Sequence, residues 1–198
     1  MKKTIIAMAT VLLFLQCTNS NSSEEIRVPN NNEVVTAEQG KSESCMSHDG
    51  AGHISKQVKI SGDIEFPLDL TVDSLKAMDV VTIEDFKIVC QTGADMKNFS
   101  TCKGVLLKDI LEKAKIKQSS HKDRNFYIVA RASDDYKATF SWAEIFNNPT
   151  GENVYVLFEE NGEPIKTQGD MVLICKNDIK TGPRHVYWLE SIEVKRVN

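Results

Sequence analysis

Cysteine, histidine and arginine carry most of the chemistry this sequence can offer. Cys90 closes the apolar run Phe86-Lys87-Ile88-Val89-Cys90, and a polar stretch from Gln91 to Lys103 reads as a loop before an amphipathic helix. A thiol at the end of a buried strand stands where sheet proteins often place their ligands. Ionised, it is a soft metal ligand. Oxidised, it is half of a disulfide, and buried as the thiol it is a core residue. Apart from Cys17, the chain has three further cysteines, Cys45, Cys102 and Cys175. In an oxidising compartment the four allow three pairings. Cys102 lies across the polar loop and Cys175 ends another apolar run, so both are candidate partners of Cys90.

Two further clusters invite a ligand reading. Cys45, Met46, His48 and His53 place a thiol, a thioether and two imidazoles close together. These are ligands that suit copper. Their spacing matches no zinc or haem signature, and the polar flanks offer no supporting shell, so a solvated linker is the simpler reading. Arg184 and His185 stand just before the closing strand, with Arg131 and Lys103 elsewhere in the chain. For Arg184 and His185 the plain alternative to a ligand site is a strand edge guarded by charge. Asp134 and Asp135 read as turn residues, and Trp142, Trp188 and Leu189 as core. Neither a Ser-His-Asp arrangement nor a glycine-rich phosphate loop is present.

The N-terminus reads as an export signal. Met1-Lys2-Lys3 is cationic, and Ile5 to Leu15 is an apolar run too short to span a bilayer, which takes about 20 residues. The run ends on Cys17, and the polar stretch Thr18-Asn19-Ser20-Asn21-Ser22-Ser23-Glu24-Glu25 follows. This resembles a bacterial lipoprotein signal, and the resemblance implies cleavage before Cys17 and lipidation of it; an ordinary cleaved signal is the alternative. The expected location is a bacterial membrane, on its periplasmic or outer face, with the membrane itself as a partner through the lipid. The chain has 24 basic and 28 acidic residues, a net charge of −4, and the signal removes two of the lysines. An acidic chain without a basic cluster excludes nucleic acid as the expected partner.

Residues 18–56 are rich in Asn, Ser, Glu and Gly without periodicity, and read as a flexible tether. Residues 57–198 suffice for one domain. Strands are expected around Val58–Ile60, Leu68–Leu70, Val80–Cys90, Phe126–Ala132, Tyr136–Phe140, Val154–Phe158, Met171–Cys175 and Trp188–Val194. Three short helices join them: one near Leu75 capped by Thr71 or Asp73, one from Gly104 to Ala114 with an apolar stripe, and one from Trp142 to Asn147 capped by Ser141. Asn161-Gly162 signals a hairpin. The expected fold class is α+β with a mixed sheet of short strands and about three short helices.

The order of these pieces resembles the molybdopterin-binding domain of the sulfite oxidase family. The matching segments are Ile60-Ser61-Gly62-Asp63-Ile64 with Pro67-Leu68-Asp69-Leu70, Ile88-Val89-Cys90, Gly104 to Leu111, Ala132 to Tyr136, Asn161 to Pro164, and Val186 to Val194. The resemblance implies a molybdenum–molybdopterin cofactor, with Cys90 as the metal's thiolate ligand and Arg184, His185, Arg131 and Lys103 around the pterin phosphate. It further implies an oxidoreductase with a redox partner that the sequence does not identify. Gln91-Thr92-Gly93-Ala94-Asp95 departs from the polar and basic cluster that follows the cysteine in catalytic members. A cofactor-free binding module on the same fold, with Cys90 in a disulfide or buried, therefore stands as the equal alternative.

Overall fold

The computed structural model describes His53 and residues 55–198. The signal, Cys17, Cys45 and His48 lie outside the described residues. In chain order the elements are β1 (Val58–Gly62), β2 (Leu68–Leu70), α1 (Val72–Lys76), β3 (Val81–Val89), β4 (Asp95–Leu106), α2 (Leu107–Ala114), β5 (Phe126–Ala132), β6 (Lys137–Ser141), α3 (Trp142–Phe146), β7 (Val154–Glu160), β8 (Glu163–Pro164), β9 (Val172–Cys175) and β10 (Leu189–Arg196). Among the described residues no helix is long and apolar enough to cross a membrane.

The strands form two five-stranded sheets. The first runs β2-β1-β10-β5-β6, and the second β3-β4-β7-β8, with β9 beside β8 on the edge of β7 opposite β4. The first sheet is mixed: β10 lies parallel to β1 and antiparallel to β5. A parallel neighbour cannot be reached by a hairpin. Here the intervening chain contributes β2, β5 and β6 to the first sheet and builds the whole of the second before β10 returns to lie between β1 and β5.

One core lies between the sheets and α2. Ile60, Ile128, Ile192 and Val194 pack with Leu107, Ile110 and Leu111 of α2 and with Val154, Val156 and Leu173 of the second sheet. The other face of the second sheet carries its own cluster, including Ile83, Phe86, Ile88, Phe99, Leu157 and Ile174. β9, and β7 as far as Phe158, are thus buried on both faces, which is why their segments read as unbroken apolar runs.

Local chemistry sets the element ends. Thr71 caps α1 and Ser141 caps α3, each through a reciprocal capping box. Asn161 and Gly162 take φ of 51° and 83°, the two positive values a tight hairpin between β7 and β8 requires. Beyond α3, Pro149 opens a short 3-10 turn over Pro149–Asn153.

One expectation needs correction. Gln91 to Lys103 is not a loop: the chain reverses tightly after Cys90, and Asp95 already begins β4. The helix accordingly starts at Leu107 rather than Gly104. β4 pairs with β3 along its length and with β7 from Cys102 onward, so backbone pairing holds a segment in which buried side chains are a minority. Gly104 sits where β4 and β7 shift register, and a Cβ there would stand 2.4 Å from the Val156 carbonyl oxygen. Gly104→Ala is therefore expected to lower stability by about 1–3 kcal/mol, as overpacking typically does, read from urea melts.

Candidate functional site

The turn after β3 fixes Cys90. The Gly93 N–H donates to the Cys90 carbonyl at 2.8 Å and the Cys90 N–H to the Ala94 carbonyl at 2.8 Å, with Gly93 at φ 96°. This is a three-residue hairpin with glycine in the left-handed position. Cys90 is buried and disulfide-bonded. Cys102 and Cys175 are both free and buried, so neither is its partner. The partner lies outside the described residues.

A distant segment is clamped to this strand end. The Thr181 hydroxyl accepts from the Val89 N–H at 2.8 Å and donates to the Lys87 carbonyl at 2.9 Å. It satisfies both backbone groups on the edge of β3. The 3-10 turn Gly182–Arg184 follows directly. A Cβ on Gly182 would stand 3.0 Å from the Val89 carbonyl oxygen and 3.5 Å from the Cys90 Cα, so glycine permits the close approach. The Tyr136 hydroxyl donates to the Pro183 carbonyl at 2.7 Å and braces the turn from the β5–β6 hairpin. The close approach of Gly182 thus brings the turn that carries Arg184 and leads into His185 to the Cys90 end of β3.

Their chemistry there is not that of an anion site. The Arg184 guanidinium donates from Nε to Asp178 Oδ2 at 2.7 Å, from Nη2 to Asp178 Oδ1, and from Nη1 to Glu144 Oε1 at 3.0 Å. Its plane also lies over the Phe140 ring, 4.5 Å from the centroid. The Asp178 hydrogen bond raises its pKa further, and two carboxylates neutralise its charge. Burial pushes the Glu144 carboxyl up, but hydrogen bonds from Ser141 and Arg184 outweigh it and hold Glu144 below its ordinary value. Arg184 therefore ties the turn to the exit of β9 and the start of α3. Sequence reasoning missed Asp178, Glu144 and Thr181 as its companions. Only Glu144 left a signal, as the fourth residue of the Ser141-Trp142-Ala143-Glu144 capping box.

His185 is 4 % exposed, and neither ring nitrogen has a hydrogen-bond partner among the described residues. Its ring meets Tyr187 edge-on at 4.2 Å. Burial, with a smaller contribution from Lys97, lowers its pKa to about 3, so the imidazole is neutral and adds no positive charge. It is not at an exposed strand edge either. Lys97 itself pairs with Glu160 at 2.6 Å on the same face of the second sheet.

The other two cations are elsewhere or spent. Lys103 pairs with Glu159 at 2.6 Å. It faces Thr82 at the far end of the β3–β4 pair, whereas Asp95 faces Val89 beside Cys90. The eight residue-to-residue steps between them amount to roughly 25 Å of strand. Arg131 pairs with Asp135 at 3.1 Å. Cys102 and Cys175 are each pushed up to about 12, chiefly by burial, and so stay protonated. Among the described residues no group of three or more His, Cys, Asp or Glu converges as a metal site. His53 packs by Trp188, ring centroids 5.3 Å apart, while Cys45 and His48 of its proposed copper cluster lie outside the described residues.

As folded, these residues do not fit a cysteine-ligated molybdenum centre. The one sulfur at the matched position is already bonded, and the adjacent arginine is saturated by carboxylates. Two expectations follow. Arg184→Leu should cost about 2–4 kcal/mol in urea melts, because it strands Asp178 without its cation; a cation kept only for a ligand would leave stability unchanged. His185 supplies the second. An unfolded histidine titrates near 6.5. Between about 6.5 and 3 the unfolded chain binds a proton that the folded one refuses, so stability is lost as pH falls through that window. From pH 7 to 5 the wild type should lose about 2 kcal/mol more than His185→Phe, both measured by denaturant melts.

Comparison with known proteins accords with this architecture. The family model described as "Oxidoreductase molybdopterin binding domain" matches residues 53–198. The crystal structure of the sulfane dehydrogenase SoxCD from Paracoccus pantotrophus superposes with a TM-score of 0.54 at 18% identity, over 76% of this chain and 40% of that one. The chain thus spans well under half of that protein's length, and the likeness is one of fold. No curated protein matches the chain. With its mixed sheet, its short helices and this match across the whole described domain, the chain belongs to the oxidoreductase molybdopterin-binding domain family.

Proposed function

We propose that this protein is an exported lipoprotein, anchored through Cys17, whose molybdopterin-binding-type domain works as a binding module with no metal on Cys90. The observation that carries the reading is the disulfide at Cys90. A disulfide sulfur offers no thiolate, and thiolate is the form that binds metal. An exported protein stays in a compartment where such bonds persist, so the export signal and the disulfide support one another. The pairing of Arg184 with Asp178 and Glu144 argues the same way, because it leaves that guanidinium no spare charge for a pterin phosphate.

Family membership favours a second reading, a molybdenum-dependent oxidoreductase at the membrane surface. That reading requires Cys90 to be reduced before the cofactor arrives. When bound, the cofactor would supply oxygen-atom or electron transfer at molybdenum, and the chain's part would be to hold it through the Cys90 thiolate.

Metal analysis of protein exported by a host that makes the cofactor separates the two. The binding-module reading expects no molybdenum above background, and it expects Cys90→Ser to lower stability by about 2–4 kcal/mol through loss of the cross-link. Near-stoichiometric molybdenum that disappears in Cys90→Ser would establish the oxidoreductase instead.

A further inference from the structure

A cleft of about 570 Å³ opens at the C-terminal end of α2, between that helix, the loop after it and α3. Its size falls in the range of small-molecule sites. It shares no residue with the surroundings of Cys90. Leu111 and Ile116 form its apolar floor, and Trp142 and Phe146, stacked at 5.2 Å, form a half-buried aromatic wall.

We propose that this cleft binds an organic cation: an ammonium or guanidinium group carried on an apolar body. Three separate features point to that charge. The chain's own Arg124 holds its guanidinium over the Trp142 indole, 5.0 Å from the ring centre, so a cation already occupies the aromatic wall. Of the two carboxylates in the lining, Glu65 is paired with Lys115 at 2.6 Å, but Glu112 makes no ion pair among the described residues. The cleft lies at the carbonyl end of α2, where the helix dipole is negative. A ligand cation can therefore stack on Trp142 and meet the Glu112 carboxylate while its body covers Leu111 and Ile116. Arg124 acts as the internal competitor that such a ligand displaces.

Calorimetric titration of the full-length chain tests this with benzyltrimethylammonium as the probe, benzyl alcohol as its neutral counterpart and benzoate as its anionic one. The ammonium should bind saturably, with affinity falling as salt is raised. Glu112→Gln should weaken it about tenfold, and Trp142→Phe, which keeps an aromatic wall, should weaken it less. Arg124→Ala should tighten it by removing the competitor. A short capped peptide with one central arginine identifies the source of the charge: tighter binding than the free ammonium marks a basic protein segment as the ligand, and weaker binding marks a small molecule, and either supports a cation site. Absence of binding by both cations, equal binding of benzoate or benzyl alcohol, or unchanged affinity in Glu112→Gln would each overturn the proposal. Thermal melts of the variants separate a lost site from a lost fold. Because the readout involves neither metal nor Cys90, its failure would leave the reading of Cys90 untouched.

Discussion

The arrangement of the site depends on the buried hydroxyl of Thr181. One oxygen accepts the Val89 N–H and donates to the Lys87 carbonyl, and so takes the place of a neighbouring strand on the edge of β3. Residues distant in sequence are joined by it, and the consequences run along the chain in both directions. Gly182 is pressed against the backbone of Cys90, Arg184 is delivered between Asp178 and Glu144, and His185 is turned into the interior. Each of these positions follows from the clamp, and together they give the Cys90 end of β3 its chemistry: a bonded sulfur, a neutral imidazole and a guanidinium already matched by carboxylates.

Much of the fold was legible because its signals are local. The caps at Thr71 and Ser141, the Asn161-Gly162 turn, the stripe of α2 and the apolar runs of β7 and β9 all express short-range rules, and all appear near their expected places. β4 was not legible. Its buried residues Phe99 and Cys102 are three apart, as are Ile83 and Phe86 on β3, where Asp85 takes φ 48°. This change of face breaks the alternation that marks a strand, and the backbone partners on β3 and β7 leave no trace in the segment itself. The candidate site was legible only in outline. The motif positions singled out Arg184 and His185, but their charge states depend on Asp178, Glu144 and burial, which arise only when distant segments meet.

Family and function part company at this point. A domain can keep the strand order and the position of a ligand cysteine while its neighbours make other commitments. Here Arg184 stabilises the fold through two carboxylates, and the unpartnered nitrogens of His185 impose a cost that burial alone does not offset. The cleft at α2 lies outside that history, and its aromatic wall and Glu112 carboxylate are independent of metal chemistry.

The central claim is that the Cys90 sulfur is covalently committed in the exported protein. Alkylation of the denatured chain without reductant, followed by peptide mass spectrometry, tests it directly. The account predicts that Cys102 and Cys175 take the label and that Cys90 takes it only after reduction. Labelling of Cys90 without reduction would contradict it.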